Sequence, residues 1–385
     1  RLRDVPGCKF IIATSKDDWA ALQGRPLFEK LREFMGPVFI DIGFPGDGDQ
    51  PILHMSKGHR LAARRAIEDR VWAGFVTPDL LVSDGMIPFV MEKARSGKKA
   101  VMAPALRYAM EPVIAALGER GMLVPDQPIC LNPRLMAGIA QESLHSEIRR
   151  YEFEAPHFGD YPIWSYWRVA RSKAIVLHTV SWALLLGDFS EIRNYTDDLL
   201  EKDTIDGTYV DRNFYKENRK EDLYLSSDSD EMVFMGLTAE SELTYLPFQD
   251  RPINSTAGGQ QHRIYNIHKF LFSPEVDGFR RWAYAVPCQI HGEKLGLESV
   301  KIAKKSSSIV RRAMKMRVVS RAAQRIFIDA FSRGTASLNT YPNSYASECF
   351  MIIMEDVRRI FQFISLELQK ARSRILWAVF GSWVG

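Results

Sequence analysis

Apolar positions in this chain recur at two spacings, and the change from one to the other marks its elements. In residues 58–69, Leu61, Ala62, Ala66 and Ile67 fall at helical spacing with Arg60, Arg64, Arg65, Glu68 and Asp69 between them, which predicts a half-exposed helix. Residues 72–76 then read as a short buried strand. It must end at Thr77-Pro78-Asp79, because Pro78 cannot donate to a ladder. Upstream, residues 9–15 and 38–42 are two further strand candidates, and Asp17-Asp18-Trp19 opens a helix because acids suit a first turn. Downstream, residues 87–95 and 111–121 suit helices, 99–103 suits a strand, and a helical segment follows over 133–150. Strands alternating with helices predict an α/β fold with a mainly parallel, doubly wound sheet flanked by helices.

Beyond residue 150 the pattern is less regular. Residues 174–187 are almost continuously apolar, interrupted by His178, Thr179 and Ser181, and predict a buried helix. Residues 156–164 combine Gly and Pro with aromatics, which makes an ordered loop. Residues 204–211 look like a turn entering a strand, and 222–227 like a strand delivering Asp228-Ser229-Asp230-Glu231, after which 232–235 begin a helix. Residues 255–263 form a small-residue loop whose amides and Arg263 suit either an ordinary turn or a diphosphate cradle.

From 301 to 325 nine Lys or Arg residues (301, 304, 305, 311, 312, 315, 317, 321, 325) occur with no acid between Glu298 and Asp329. This amphipathic stretch suits an anionic membrane surface or a solvated linker helix. Nucleic acid is the weaker partner, since no recognised nucleic-acid-binding motif is present. Val357, Ile360, Phe361, Ile364 and Leu368 then share a helical face, and the chain closes on a Trp-rich apolar run, 375–384. That run is too short to span a bilayer; it can lie at an interface, pack on the first domain, or pack on a second copy in a homo-oligomer.

Composition narrows this picture little. At 385 residues, with 46% hydrophobic and 25% charged side chains, the chain has the make-up of an ordinary globular protein of two or three domains. Its net charge of +4 does not by itself argue for nucleic acid. Cys8, Cys130, Cys288 and Cys349 are far apart, which gives neither a zinc motif nor a disulfide framework and points to a reducing, cytoplasmic setting, peripheral on the inner face of a membrane if the basic segment docks there. No signal peptide pattern is visible, although a chain beginning with Arg can have lost a leader.

The candidate chemistry is acidic. A carboxylate at the carboxyl end of a strand in an open α/β sheet stands where ligands bind. Asp79 is one such residue, and Asp228-x-Asp230 is a second. The alternative for both is a solvated turn or helix cap. Helix, apolar strand and acidic tip together resemble the centre of nucleotide-sugar glycosyltransferases of the GT-A type, over roughly the first 120 residues. Their Asp-x-Asp carries a divalent cation on the donor diphosphate, whereas this chain has Thr77-Pro78-Asp79 at the matching place.

The resemblance implies a Rossmann-like region over 1–150 that binds the nucleotide-sugar, an acceptor and catalytic region over 151–298, and a basic helical region over 299–385. Thr14, Ser15, Asp41, Asp79, Arg107 and His157 would bind the donor. Asp79, Asp228 and Asp230 would hold Mn²⁺ or Mg²⁺, and Asp206, Asp230 or Glu231 would act as base. Bland alternatives stand beside these: turn chemistry for Thr14, Ser15 and Asp41, a surface role for Arg107, loop packing for His157. The expected function is transfer of a sugar from a nucleoside diphosphate to a glycan or lipid-linked acceptor, with a non-catalytic α/β scaffold or peripheral membrane protein as the alternative. The enzyme reading requires the distant acidic strand ends to meet in one pocket.

Overall fold

The computed structural model describes residues 8–44, 51–169, 174–192, 204–205, 207–242 and 257–316. In chain order its elements are β1 (Phe10–Thr14), α1 (Lys16–Gln23), α2 (Pro26–Phe34), β2 (Pro37–Asp41), α3 (Pro51–Glu68), β3 (Trp72–Ala73), β4 (Leu80–Val82), α4 (Met86–Arg95), β5 (Ala100–Pro104), β6 (Arg107–Ala109), α5 (Met110–Glu119), α6 (Pro133–Glu142) and α7 (Ser146–Arg149). There follow β7 (Trp164–Arg168), β8 (Ala174–Thr179), β9 (Trp182–Asp188), α8 (Gly207–Val210), β10 (Leu223–Leu225), β11 (Phe234–Thr238), α9 (Ala257–Leu271), α10 (Gly278–Tyr284), β12 (Cys288–His291) and α11 (Leu297–Lys315).

These strands do not build the mainly parallel Rossmann-like sheet expected from the sequence. They form four small sheets, ordered β1-β2, β10-β5-β9-β3, β4-β11-β6 and β12-β8-β7. Only the first is purely parallel. The second is mixed, with β10 parallel to β5 and with β9 antiparallel to both β5 and β3. The third is mixed and the fourth wholly antiparallel. The physical reason is partner choice: β4, β5 and β6 follow one another closely, yet each takes its neighbours from after residue 160. Alternating strands and helices gave no sign of that.

Four local expectations also change. Residues 174–187 are two strands, β8 and β9, which enter different sheets around a corner held by Ser181 N donating to Thr179 Oγ1 (2.9 Å) and Trp182 Nε1 donating to the Thr179 carbonyl (2.9 Å). Strands buried on both faces lose their alternation, so their pattern matches that of a buried helix. Residues 232–235 lead into a strand instead of a helix, 207–215 form a helix continued by a π-helical turn instead of a strand, and 257–263 open α9 instead of forming a loop.

The core beside the site packs α4 on the second sheet. Met86 and Val90 meet Val101, Ala103, Leu185, Leu186, Met232 and Phe234, all buried. By contacts the chain divides into one unit of residues 1–252 and 264–314 and another of 253–263 and 315–385, and every site residue discussed below belongs to the first. The second unit is described only at 257–263 and 315–316, so the expectations for its C-terminal helix and Trp-rich end lie outside the described residues. No helix among the described residues is long and apolar enough to cross a membrane.

Candidate functional site

The acidic loop after β10 is threaded between two sheets. Ser226 N donates to the Met102 carbonyl on β5 (2.8 Å), which ties the loop to the second sheet. Gln289 N donates to the Ser227 carbonyl (2.7 Å) and Ser229 N to the Gln289 carbonyl (2.9 Å), which ties it to β12 of the fourth. His291 N adds a bond to Ser229 Oγ (3.0 Å). Asp228 then closes a tight turn, its Oδ1 accepting from Asp230 N (2.9 Å). Two carboxylates two apart already share a face on an extended chain, and the turn closed by Asp228 keeps both on one side.

The result is a triad. Asp228, Asp230 and His291 each offer a ligand atom, and the three atoms lie within 4.8 Å of one another. His291 Nε2 stands 2.8 Å from Asp228 Oδ1, and its Nδ1 stands 2.7 Å from the Glu293 carbonyl. A carbonyl can only accept, so Nδ1 carries a proton and Nε2 of the neutral ring turns its lone pair on the carboxylate. A second proton on the ring or a cation between the two groups relieves that opposition. An outward-facing Nε2 with Nδ1 bonded to a carbonyl is the usual arrangement of a metal-ligating imidazole. Donors about 2.1 Å from a six-coordinate ion stand about 3 Å apart when adjacent, which the Asp228–His291 pair matches, and two carboxylates with an imidazole suit a divalent transition-metal ion such as Mn²⁺ better than Mg²⁺.

The His291 side chain is buried, whereas Asp228 and Asp230 are partly open to solvent. Arg134 braces the open side, its Nε and Nη2 donating to the two oxygens of Asp230, each at 2.9 Å. That fork holds the Asp230 carboxyl below the usual carboxylate range, with His291 adding to the effect. Each oxygen retains a second lone pair.

Arg134 sits in the first turn of α6, which Asn132 caps by accepting from Leu135 N (2.9 Å) and Pro133 starts. The helix lies against the end of β12 through two glycines. A methyl on Gly292 would come 3.0 Å from the Gly138 Cα and 3.2 Å from its N, close enough that the facing backbone would have to give by a few tenths of an ångström. Beside this contact opens a cleft of about 520 Å³, with Arg120, Arg134, Leu135, Ile139, Gly292 and Glu293 among its walls. That volume falls within the usual range for small-molecule sites.

The remaining predicted residues lie in varied settings. Glu231 follows the triad, but its oxygens accept from the hydroxyls of Tyr224 and Ser226 (the latter at 2.9 Å). Burial first, and then Glu231, pushes the Tyr224 hydroxyl up, so it stays a donor. Thr14 and Asp41 are paired across β1 and β2 at the carboxyl end of that sheet. There Ser15 caps α1, Asp18 accepts from Thr14 (3.2 Å) and Ser15 (2.8 Å), and Asp41 accepts from Gly43 N (2.9 Å). Asp79 is exposed at a turn, accepting from Thr77 Oγ1, and is not among the three residues of the triad. Arg107 forms an ion pair with buried Glu147 (3.4 Å). His157 is exposed on its loop. Asp206 lies outside the described residues.

Sequence reading missed His291 and Arg134, because nothing local distinguishes them. His291 ends a four-residue strand 63 positions after Asp228, and Arg134 looks like any exposed helical arginine. No family model, curated protein or solved structure matches the chain.

Proposed function

We propose that the chain is a divalent-cation-dependent glycosyltransferase that uses a nucleoside-diphosphate sugar as donor. The observation that carries the reading is the Asp228–Asp230–His291 triad beside a ligand-sized cleft, with a guanidinium in both. The fold offers no support, since the sheets are not those of the resemblance that first suggested the function.

Asp228, Asp230 and His291 would hold Mn²⁺ or Mg²⁺, which when bound supplies positive charge for a leaving diphosphate. Asp230, kept ionised by Arg134, is a poor proton acceptor and a good ligand, which favours the binding role over the basic one. Arg120 and Arg134 in the cleft wall give an anionic donor complementary charge. Glu231, fixed by two hydroxyls, remains as a carboxylate for deprotonating an acceptor hydroxyl in an inverting reaction.

The test is thermal stability of the full chain with UDP, GDP or CDP, each with and without Mn²⁺. The proposal expects a rise selective for one nucleotide and larger with Mn²⁺. Absence of a response to any nucleotide, with or without the ion, would sink it.

A further inference from the structure

The helix α11 is divided along its length. Ser299, Ser306, Ile309, Val310 and Ala313 are buried against the rest of its unit. The opposite face, at i, i+3, i+4 and i+7 spacing, carries Leu297, Val300, Lys301, Lys304, Ser308, Arg311 and Arg312, all exposed. Lys305, at the margin of this face, is paired with Glu154. No acidic residue occurs along the helix after Glu298, so nothing on the helix itself neutralises the four cations. Leu297 is 82% exposed and Val300 47%, the former the most exposed large apolar side chain described.

An ordinary solvated helix face mixes both charge signs and has little reason to present a leucine so fully. Two exposed apolar side chains leading a row of same-sign charges are the composition of a segment that rests on lipid headgroups. The apolar end enters the acyl boundary while the cations stay among phosphates. Long Lys and Arg stems reach that level easily, because they can lie along an apolar surface with their charge in the headgroups.

We propose that the outer face of α11 is a docking surface for an anionic lipid bilayer, with Lys301, Lys304, Arg311 and Arg312 on the headgroups and Leu297 and Val300 inserted at one end. This rests on α11 alone and is independent of the triad, so neither result bears on the other.

The experiment is co-sedimentation of the full chain with vesicles of phosphatidylcholine alone and with about 30% phosphatidylserine. The expected result is binding to the anionic vesicles only, weakening as salt is raised and the Debye length falls below about 8 Å. Reversing all four charges (K301E, K304E, R311E, R312E) should weaken it roughly a hundredfold or more. Leu297→Ser with Val300→Ser should weaken it by about tenfold. These side chains are exposed, so both variants should melt as the parent does. Equal binding to neutral vesicles, salt-insensitive binding, or parental binding by the charge-reversed chain would overturn the proposal. So would displacement from vesicles by single-stranded RNA bound more tightly through the same four residues, which would make nucleic acid the partner. The salt series uses the unaltered chain and decides the matter even where a variant misfolds.

Discussion

His291 Nε2 and Asp228 Oδ1 stand 2.8 Å apart, although 63 residues separate them in the chain. With Nδ1 committed to the Glu293 carbonyl, only a second proton or a cation can sit comfortably between them. We predict that Mn²⁺ raises the melting temperature of the parent chain and leaves Asp228→Asn and His291→Ala unmoved. An unchanged rise in either variant would place the ion elsewhere.

Arg134 has a separable effect. Its fork holds Asp230 below the usual carboxylate range, so Asp230 stays ionised and available at lower pH than an unpaired aspartate. A depressed carboxylate pKa protects binding above that value and loses it as pH falls through it. We predict that Arg134→Ala moves the acid midpoint of Mn²⁺ binding upward. Calorimetric titration between about pH 4 and 7 would reveal it, and coincident midpoints would remove Arg134 from the site.

Gly292 sets the distance between α6 and β12. A Cβ there meets the Gly138 backbone at 3.0 Å, and backbone cannot swing aside as a side chain can. Gly292→Ala is predicted to force α6 outward, costing about 1–3 kcal/mol, and to weaken cation binding by separating Arg134 from Asp230. Gly296→Ala, where no atom lies within 4 Å of the added carbon, serves as the control. Equal melting temperatures for the two variants would contradict the argument.

His178 gives a pH dependence unrelated to the site. It is fully buried between the Tyr284 carbonyl (2.9 Å) and Ser306 Oγ (2.9 Å), and burial lowers its pKa from 6.5 to about 4. The unfolded chain takes up this proton below pH 6.5 while the folded chain does not until about pH 4, so stability falls as pH drops through that window. The full loss is about 3 kcal/mol. Urea midpoints of the parent should fall accordingly, and those of His178→Gln should show a shallower slope. Identical slopes would mean the loss comes from other groups.

Much of the local structure was legible in the sequence. Helical spacing from Leu61 to Ile67 lies within α3, the run 38–42 overlaps β2, and residues 87–95 lie within α4, because each of these elements keeps one face partly open and so keeps its period. The pattern failed at 174–187, where both faces are covered and alternation disappears. It failed again at 232–235, whose apolar residues serve a strand that pairs with β4 and β6 from far earlier in the chain.

By itself the sequence determined the acidic Asp228-x-Asp230 turn, the absence of acids along the basic stretch, and most helices, since each depends on neighbours within a few residues. Tertiary structure alone decided that the sheets are small and mixed, and that His291 and Arg134 reach Asp228 and Asp230 while Asp79 is not among them. The pairings of β10 with β5, of β11 with β4 and β6 and of β12 with β8, and the close approach of Gly138 and Gly292, act between segments more than a hundred residues apart, and no periodicity in a chain records which distant partner an edge will accept.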